Sequence, residues 1–354
     1  MIGRKVYQVT TAASICSAQC EKSFGVAGDR LRSYRQPLAA ARLLLARRSD
    51  SMAANLTKLS TSSDTPSVTT ARPVLSPLHV DVGALTHVGH VRTNNEDHFL
   101  VARATRALET MLTSLPAGDV PQRADEVNYV MVVADGMGGH AAGEVASRLA
   151  ISALVDLALD IPDWIFWVDE DHAPEMERRA REVVQEVGSI LIERGRQDAA
   201  LRGMGSTLTA ARCYGRDLLV VHVGDSRAYL LRGGRLERLT KDHTYAQMLV
   251  DSGQLSPGDV ALSDCRHILI NALGGSGRHV DVDVDLLRVE DGDRLLLCSD
   301  GLTDSVDDDT LTATLGGALP SSEVCQRLLQ LALDGGGRDN ITAIVATFGS
   351  SRES

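Results

Sequence analysis

The stretch 129–140, Tyr-Val-Met-Val-Val-Ala-Asp-Gly-Met-Gly-Gly-His, decides how the rest of the chain is read. Tyr129 to Ala134 is an unbroken apolar run, too short for a helix and rich in β-branched Val, which predicts a strand buried on both faces. Asp135 closes the run, and Gly136, Gly138 and Gly139 let the backbone approach a ligand before a helix that starts near Ala142. Gly136, Gly138 and Ala141 also fit a dinucleotide fingerprint. Against that reading, Asp135 would face the pyrophosphate with like charge, and no βαβ unit follows.

Outward from this stretch, Ala146, Leu149, Ala150, Ala153, Leu154 and Leu157 recur at helical spacing, and Ala180, Val183, Val184, Val187, Ile190 and Leu191 do so again. Between Ser206 and Thr240 short apolar runs are separated by Gly215-Arg216-Asp217, by Gly224-Asp225-Ser226-Arg227 and by Gly233-Gly234, which predicts an antiparallel meander. Strands are expected again at Arg294 to Cys298 and Ile341 to Thr347, with a helix near Glu323 to Leu333 before the second. Strand runs with helices segregated around them indicate an α+β fold in which sheet packs on sheet with helices outside.

Asp135 is one of five aspartates placed where an apolar run gives way to Gly, Ser or Asn; the others are Asp97, Asp225, Asp300 and Asp339. Each alone reads as a cap or turn former. Gathered at strand ends, the five would need cations, and Mg²⁺ or Mn²⁺ take such oxygen ligands and can present a water to phosphorus. The triplet Asp281, Asp283, Asp285 has the opening rhythm of a calcium loop, but Leu286 and Gly292 stand where that loop needs Gly and Glu, so an exposed alternating strand is expected. No zinc-peptidase, serine-hydrolase or Walker signature is present.

The 354 residues are 44% hydrophobic but only 3% aromatic, enough for a sizeable aliphatic core and too few rings for base stacking, so nucleic acid is excluded as partner. The net charge of −11 is uneven: residues 1–75 hold 11 Lys and Arg against 4 Asp and Glu, which leaves the remainder at −18. Such a body repels phosphate esters unless cations or a local Arg reverse the sign. The six cysteines show no CxxC pairing, which suits reduced thiols in the cytoplasm, and no apolar run approaches the roughly 18 residues that span a bilayer. Residues 1–77 are expected to be a disordered basic tail and linker. A basic helix over 31–48, an organellar transit peptide and translation from Met52 are the alternatives for its first part.

In order along the chain, RTNNED (92–97), VADGMGGH (133–140), MGSTLTA (204–210), VHVGDSRAYL (221–230), LTKDHT (239–244), LLLCSDGLTD (295–304) and GGRDNIT (336–342) resemble the metal-dependent type 2C serine/threonine protein phosphatases in their bacterial form. The resemblance runs from about Gly83 to Phe348 and implies a phosphatase domain over 78–350. Its fold would be a four-layer α-β-β-α sandwich of two antiparallel sheets flanked by helices. The implied reaction is hydrolysis of phosphoserine and phosphothreonine in proteins by a hydroxide held between two Mn²⁺ or Mg²⁺ ions, opposing a Ser/Thr kinase in signalling.

By the same resemblance, Asp135 bridges the two ions, the Gly136 carbonyl and Asp97 serve one, and Asp300 and Asp339 serve the other. Asp225 with Asp300 matches the place of a third, weaker ion, Arg92 clamps the phosphate, and Glu96 stands behind the ligands. Met137 stands where eukaryotic members commonly have a proton-donating His; His140 is the candidate in its place, with a cation-bound water as the alternative. His243 reads as structural. Residues 244–274 look like the variable flap, read as helix, turn, helix, while 104–127 and 161–175, the latter with Trp164 and Trp167, add surface for partners. Phosphorylated proteins, a Ser/Thr kinase among them, are the expected partners of a monomeric enzyme. A non-catalytic scaffold that recognises phosphoproteins on the same fold is the alternative.

Overall fold

The computed structural model describes residues 78–350 apart from 117, 139–141, 161–172, 264 and 276–278; the expectations for residues 1–77, for His140 and for Trp164 and Trp167 lie outside the described residues. One sheet contains β1 (Leu78–His87), β7 (Arg227–Arg232), β8 (Arg235–Arg238), β11 (Arg294–Cys298) and β12 (Ile341–Ser350), in the order β1-β12-β11-β7-β8. The other contains β2 (Asp97–Glu109), β3 (Arg123–Met137), β4 (Gly205–Ser206), β5 (Leu208–Tyr214), β6 (Asp217–Val223), β9 (Leu273–Gly274) and β10 (Asp283–Arg288). Every pairing is antiparallel.

Burial on both faces follows from the position of each strand in the stack. In β3, Met131 and Val133 enter the core between the sheets, while Val132 and Ala134 point the other way to helices α1 (Ala142–Asp160) and α2 (Ala173–Gln197). In β11, Leu295 and Leu297 meet the same central core, while Leu296 and Cys298 meet α4 (Asp300–Thr303), α5 (Asp308–Leu315) and α6 (Ser321–Asp334). Three apolar layers thus separate four layers of structure, as expected for the α-β-β-α sandwich. Each fully buried Val, Leu or Met contributes about 1.5–3 kcal/mol.

The meander expectation holds within hairpins and fails between them. β5 pairs with β6 and β7 with β8, but β6 and β7 belong to different sheets. Gly224-Asp225-Ser226 is therefore a corner that crosses the sandwich, with Gly224 at φ +114°. Runs that are apolar on both faces carry no alternation to say which sheet they join. Asp135 is likewise not the strand's last residue, since β3 continues to Met137. In the flap, α3 (Tyr245–Asp251) is a helix, but its second element is a 3₁₀ turn over Pro257–Leu262. The aspartate triplet enters β10, where Val282 and Val284 are buried and Asp283 and Asp285 exposed, as its alternation predicts.

The stretch 104–127 forms the outer part of the β2–β3 hairpin, which pairs from Asp97–Asp135 to Glu109–Arg123 and outruns β5 beyond Asn128. Among the described residues no helix is long and apolar enough to cross a membrane. Cys213, Cys265, Cys298 and Cys325 are free thiols, and burial pushes Cys213, Cys298 and Cys325 up to about 12. These three buried thiols have no thiolate to offer near neutrality.

Leu297 lies fully buried between the sheets. Leu297→Ala is expected to cost about 2–5 kcal/mol, read as a lower urea midpoint at unchanged slope; a loss below about 1 kcal/mol would show that sheet-on-sheet packing does not hold the fold.

Candidate active site

The pairing of β2 with β3 sets Asp97 directly opposite Asp135. The Gly136 amide donates to the Glu96 carbonyl at 3.1 Å, so Asp97 and Asp135 form a non-hydrogen-bonded pair, the kind whose Cα atoms come within about 4.5 Å and whose side chains share a face. A Cβ on Gly136 would collide with the Gly143 carbonyl in the first turn of α1, so only glycine lets that helix seat against the strand end. On the far side of β3, Thr207 and Ser206 hold the backbone of Asp135: Thr207 Oγ1 accepts from its amide at 2.9 Å, and Ser206 Oγ donates to its carbonyl at 3.1 Å.

The opposite sheet supplies Asp300 and Asp339 at the ends of β11 and β12, and the crossing corner supplies Asp225. Asp97 is buried, and its Oδ2 accepts from Ser299 Oγ at 2.6 Å and Thr342 Oγ1 at 2.8 Å. Behind Thr342 the donors continue through Thr86 at 2.8 Å to Asn95 at 2.9 Å, so this oxygen is held by hydroxyls of the facing sheet. The other oxygen, Asp97 Oδ1, is buried with no hydrogen-bond partner among the described residues, and so is Asp300 Oδ1. Asp339 accepts from Asn340 N at 2.8 Å and from Arg92 Nη2 at 2.7 Å.

Burial pushes Asp97 up to about 7, against the pull of its Ser299 and Thr342 hydrogen bonds, and the charges of Asp300 and Asp339 push the same way. Burial first, and then Asp97, Asp300, Asp225 and Asp339, hold Asp135 well above the usual carboxylate range. Asp225 is raised by burial and by Asp300 and Asp242. Asp135 therefore feels each of the other four sequence-predicted aspartates. Hard oxygen donors, two of them buried and unpartnered, with like charges massed around them, fit divalent cations such as Mg²⁺ or Mn²⁺.

Arg92 sits at the rim, with 55% of its side chain exposed, and reaches Asp339 rather than Asp97. Glu96 is raised by burial and lies under Gly143 of α1. Met137 packs over Gly205. His243 is tied into structure: its Nδ1 receives Gly224 N at 3.2 Å and Asn271 Nδ2 at 2.8 Å, so Nε2 carries the proton toward Asp283 at 3.0 Å.

Two site residues escape sequence reasoning. His267 of the flap places Nδ1 at 3.4 Å from Asp300 Oδ2 and Nε2 at 3.4 Å from Asp304 Oδ2. One ligand atom from each of the three lies within 4.8 Å of the others. Asp304 was detectable, four residues after Asp300 on a helical turn. His267 was not, because the flap returns over the site through pairing distant in the chain, at the Thr244–Leu269 bridge with Tyr245 N on the Ile268 carbonyl and Ile270 N on that of His243.

The family described as Protein phosphatase 2C matches residues 117–332. The serine/threonine protein phosphatase PstP of Mycobacterium tuberculosis is 42% identical over 218 residues, covering 61% of this chain and 40% of that protein, so the match spans less than half of the relative's length. The crystal structure of the Mycobacterium tuberculosis phosphatase PstP/Ppp superposes with a TM-score of 0.61 at 37% identity, covering 76% of this chain and 99% of that one. A structure of the PstP catalytic domain in complex with two manganese ions gives 0.60 at 36% identity, covering 77% and 100%.

A carboxyl held above its unfolded pKa of about 3.9 favours the fold only while protonated, so the stability Asp97 lends is lost as pH rises through about 7. In chelator, the melting temperature is expected to fall between pH 6 and pH 8. Mn²⁺ at about a hundredfold over its Kd is expected to restore roughly 5–10 °C at pH 8 and less at pH 6. A manganese effect independent of pH, measured by differential scanning fluorimetry, would contradict this account of the site.

Proposed function

The chain belongs to the protein phosphatase 2C family, and on that premise we propose that it is a metal-dependent phosphatase that hydrolyses phosphoserine and phosphothreonine in proteins. The observation that carries the reading is the convergence of Asp97, Asp135, Asp225, Asp300 and Asp339 with two buried carboxylate oxygens unpartnered among the described residues. The two manganese ions of the PstP catalytic domain support Mn²⁺ or Mg²⁺ as the cofactor. Asp135 and the Gly136 carbonyl, with Asp97 on one side and Asp300 and Asp339 on the other, would hold two ions. Asp225 and Asp300, joined by His267 and Asp304, would hold a third, weaker one.

Bound there, the cations offset the carboxylates and bring the ionisation of water near neutral pH. The protein supplies the geometry. Arg92, with its guanidinium at the rim, takes two phosphoryl oxygens in a bidentate grip, which orients the ester for in-line attack and draws off its charge. Ser299 and Thr342 keep Asp97 aimed from the core, and Thr207 and Ser206 fix the backbone that carries Asp135. As the new P–O bond forms and the ester P–O bond breaks, the leaving alkoxide takes up a proton, a role assigned to His140. Residues 78–350 form the catalytic domain and 1–77 a basic extension of it. A monomer acting in the cytoplasm against a Ser/Thr kinase suits the free thiols and the phosphoprotein substrate.

Asp135→Asn is expected to lower phosphate release from a phosphothreonine peptide in Mn²⁺ by at least about a hundredfold, the upper end of what losing a ligand's supporting partner costs. Arg92→Ala is expected to raise KM more than it lowers kcat, and excess chelator to stop turnover. Phosphopeptide binding with no release of inorganic phosphate by the unaltered protein would instead identify a recognition scaffold.

A further inference from the structure

The loop from Val88 to Glu96 carries Arg92, and its middle is exposed: Val91 keeps 66% of its surface in solvent. Several of its ties among the described residues converge on the turn that carries Asp339. His90 N donates to the Gly337 carbonyl at 2.7 Å, and the Arg92 guanidinium reaches Asp339. Asn94 Nδ2 also donates to Glu144, Asn95 Nδ2 to Thr86, and the Glu96 carbonyl accepts from Gly136 N and Ser147 Oγ, but three further ties come from one buried side chain. Asn340 Nδ2 donates to the carbonyls of Val88 at 3.0 Å and Asn94 at 2.9 Å, and Asn340 Oδ1 accepts from Glu96 N at 2.8 Å. Both shoulders of the loop are therefore clipped by a single amide, whose own backbone N–H holds Asp339 Oδ1.

A primary amide is the group this job requires. It offers two donors and a carbonyl acceptor in one plane, and here both N–H groups and the oxygen are used. A carboxylate of the same shape would set its oxygens against the Val88 and Asn94 carbonyls. Alanine would leave the Glu96 N–H and the Val88 and Asn94 carbonyls without this partner. The anchor of the phosphate-facing arginine and the backbone of a cation-facing aspartate are thus adjacent residues on one turn.

We propose that Asn340 is a positioning residue that acts through Arg92: it sets the distance of the guanidinium from Asp339, so that clamp and cation cage keep a fixed spacing. The inference rests on Arg92 being the phosphate clamp. It does not require Asn340 to touch substrate or cation.

The test uses the full chain loaded with Mn²⁺, with inorganic phosphate as competitive inhibitor of p-nitrophenyl phosphate hydrolysis and manganese affinity by calorimetry. Asn340→Ala is expected to weaken phosphate inhibition and raise KM by about tenfold, within the range for outer partners of a site, with manganese affinity held within about threefold. In the Arg92→Ala background the same change is expected to add less than about twofold, because the side chain it positions is gone. Equal losses in both backgrounds, a parallel loss of manganese affinity, or no change in phosphate inhibition would overturn the proposal. Unaltered phosphate inhibition in Arg92→Ala alone would instead overturn the clamp reading beneath it. Hydrogen exchange on the unaltered protein needs no variant: the Glu96 amide is expected to exchange slowly, and fast exchange would show that the Asn340 tie does not exist in solution.

Discussion

Asp97 and Asp135 face each other across two hydrogen-bonded strands, an arrangement that antiparallel sheets avoid because like charges directly opposite repel. Here the pair is also drawn into the end of an apolar sandwich, where Asp97 is buried and one of its oxygens has no partner among the described residues. The surrounding structure holds this unfavourable pair in place. The facing sheet delivers two hydroxyls to the other Asp97 oxygen, small residues let α1 and α4 press against the strand ends, and three more aspartates enclose the remaining side. Gly301 shows how tight that enclosure is, since a Cβ there would strike the Asn340 carbonyl.

The stability of the fold and the chemistry of the site are therefore opposed terms in one structure. The core between the sheets, from Met131 and Val133 on one side to Leu295, Leu297, Ile344 and Phe348 on the other, supplies burial that outweighs the gathered charges. The charges are then the source of cation affinity, because carboxylates denied water have most to gain from a divalent ion. The −18 balance of the chain after residue 75 would repel a phosphate ester, and under the proposed function the cations and Arg92 would reverse that sign.

Much of the fold could be read along the chain because its helices and hairpins are local. Apolar spacing marked α1 and α2, and alternation marked β10. The crossing at Gly224 could not be read, since β6 and β7 are apolar on both faces and a glycine-rich turn between them looks like a hairpin. The site was legible as a set of residue types, five aspartates beside Gly, Ser and Asn, with motif order as support. It was not legible as a set of contacts. Arg92 reaches Asp339 across 247 positions, and Ser299 and Thr342 reach Asp97 across 202 and 245. No periodicity spans such distances.

The amino-acid sequence by itself determined that this is an α+β chain with an acidic, cation-seeking site and a family signature, because residue chemistry and short-range pattern are properties of the chain. Tertiary structure alone decided which carboxylate opposes which, that His267 of the flap reaches Asp300, and that Asn340 clips the Arg92 loop. Those relations depend on strand register and on how two sheets stack. One residue of slip in β2 against β3 would turn Asp97 to the other face while leaving every motif intact.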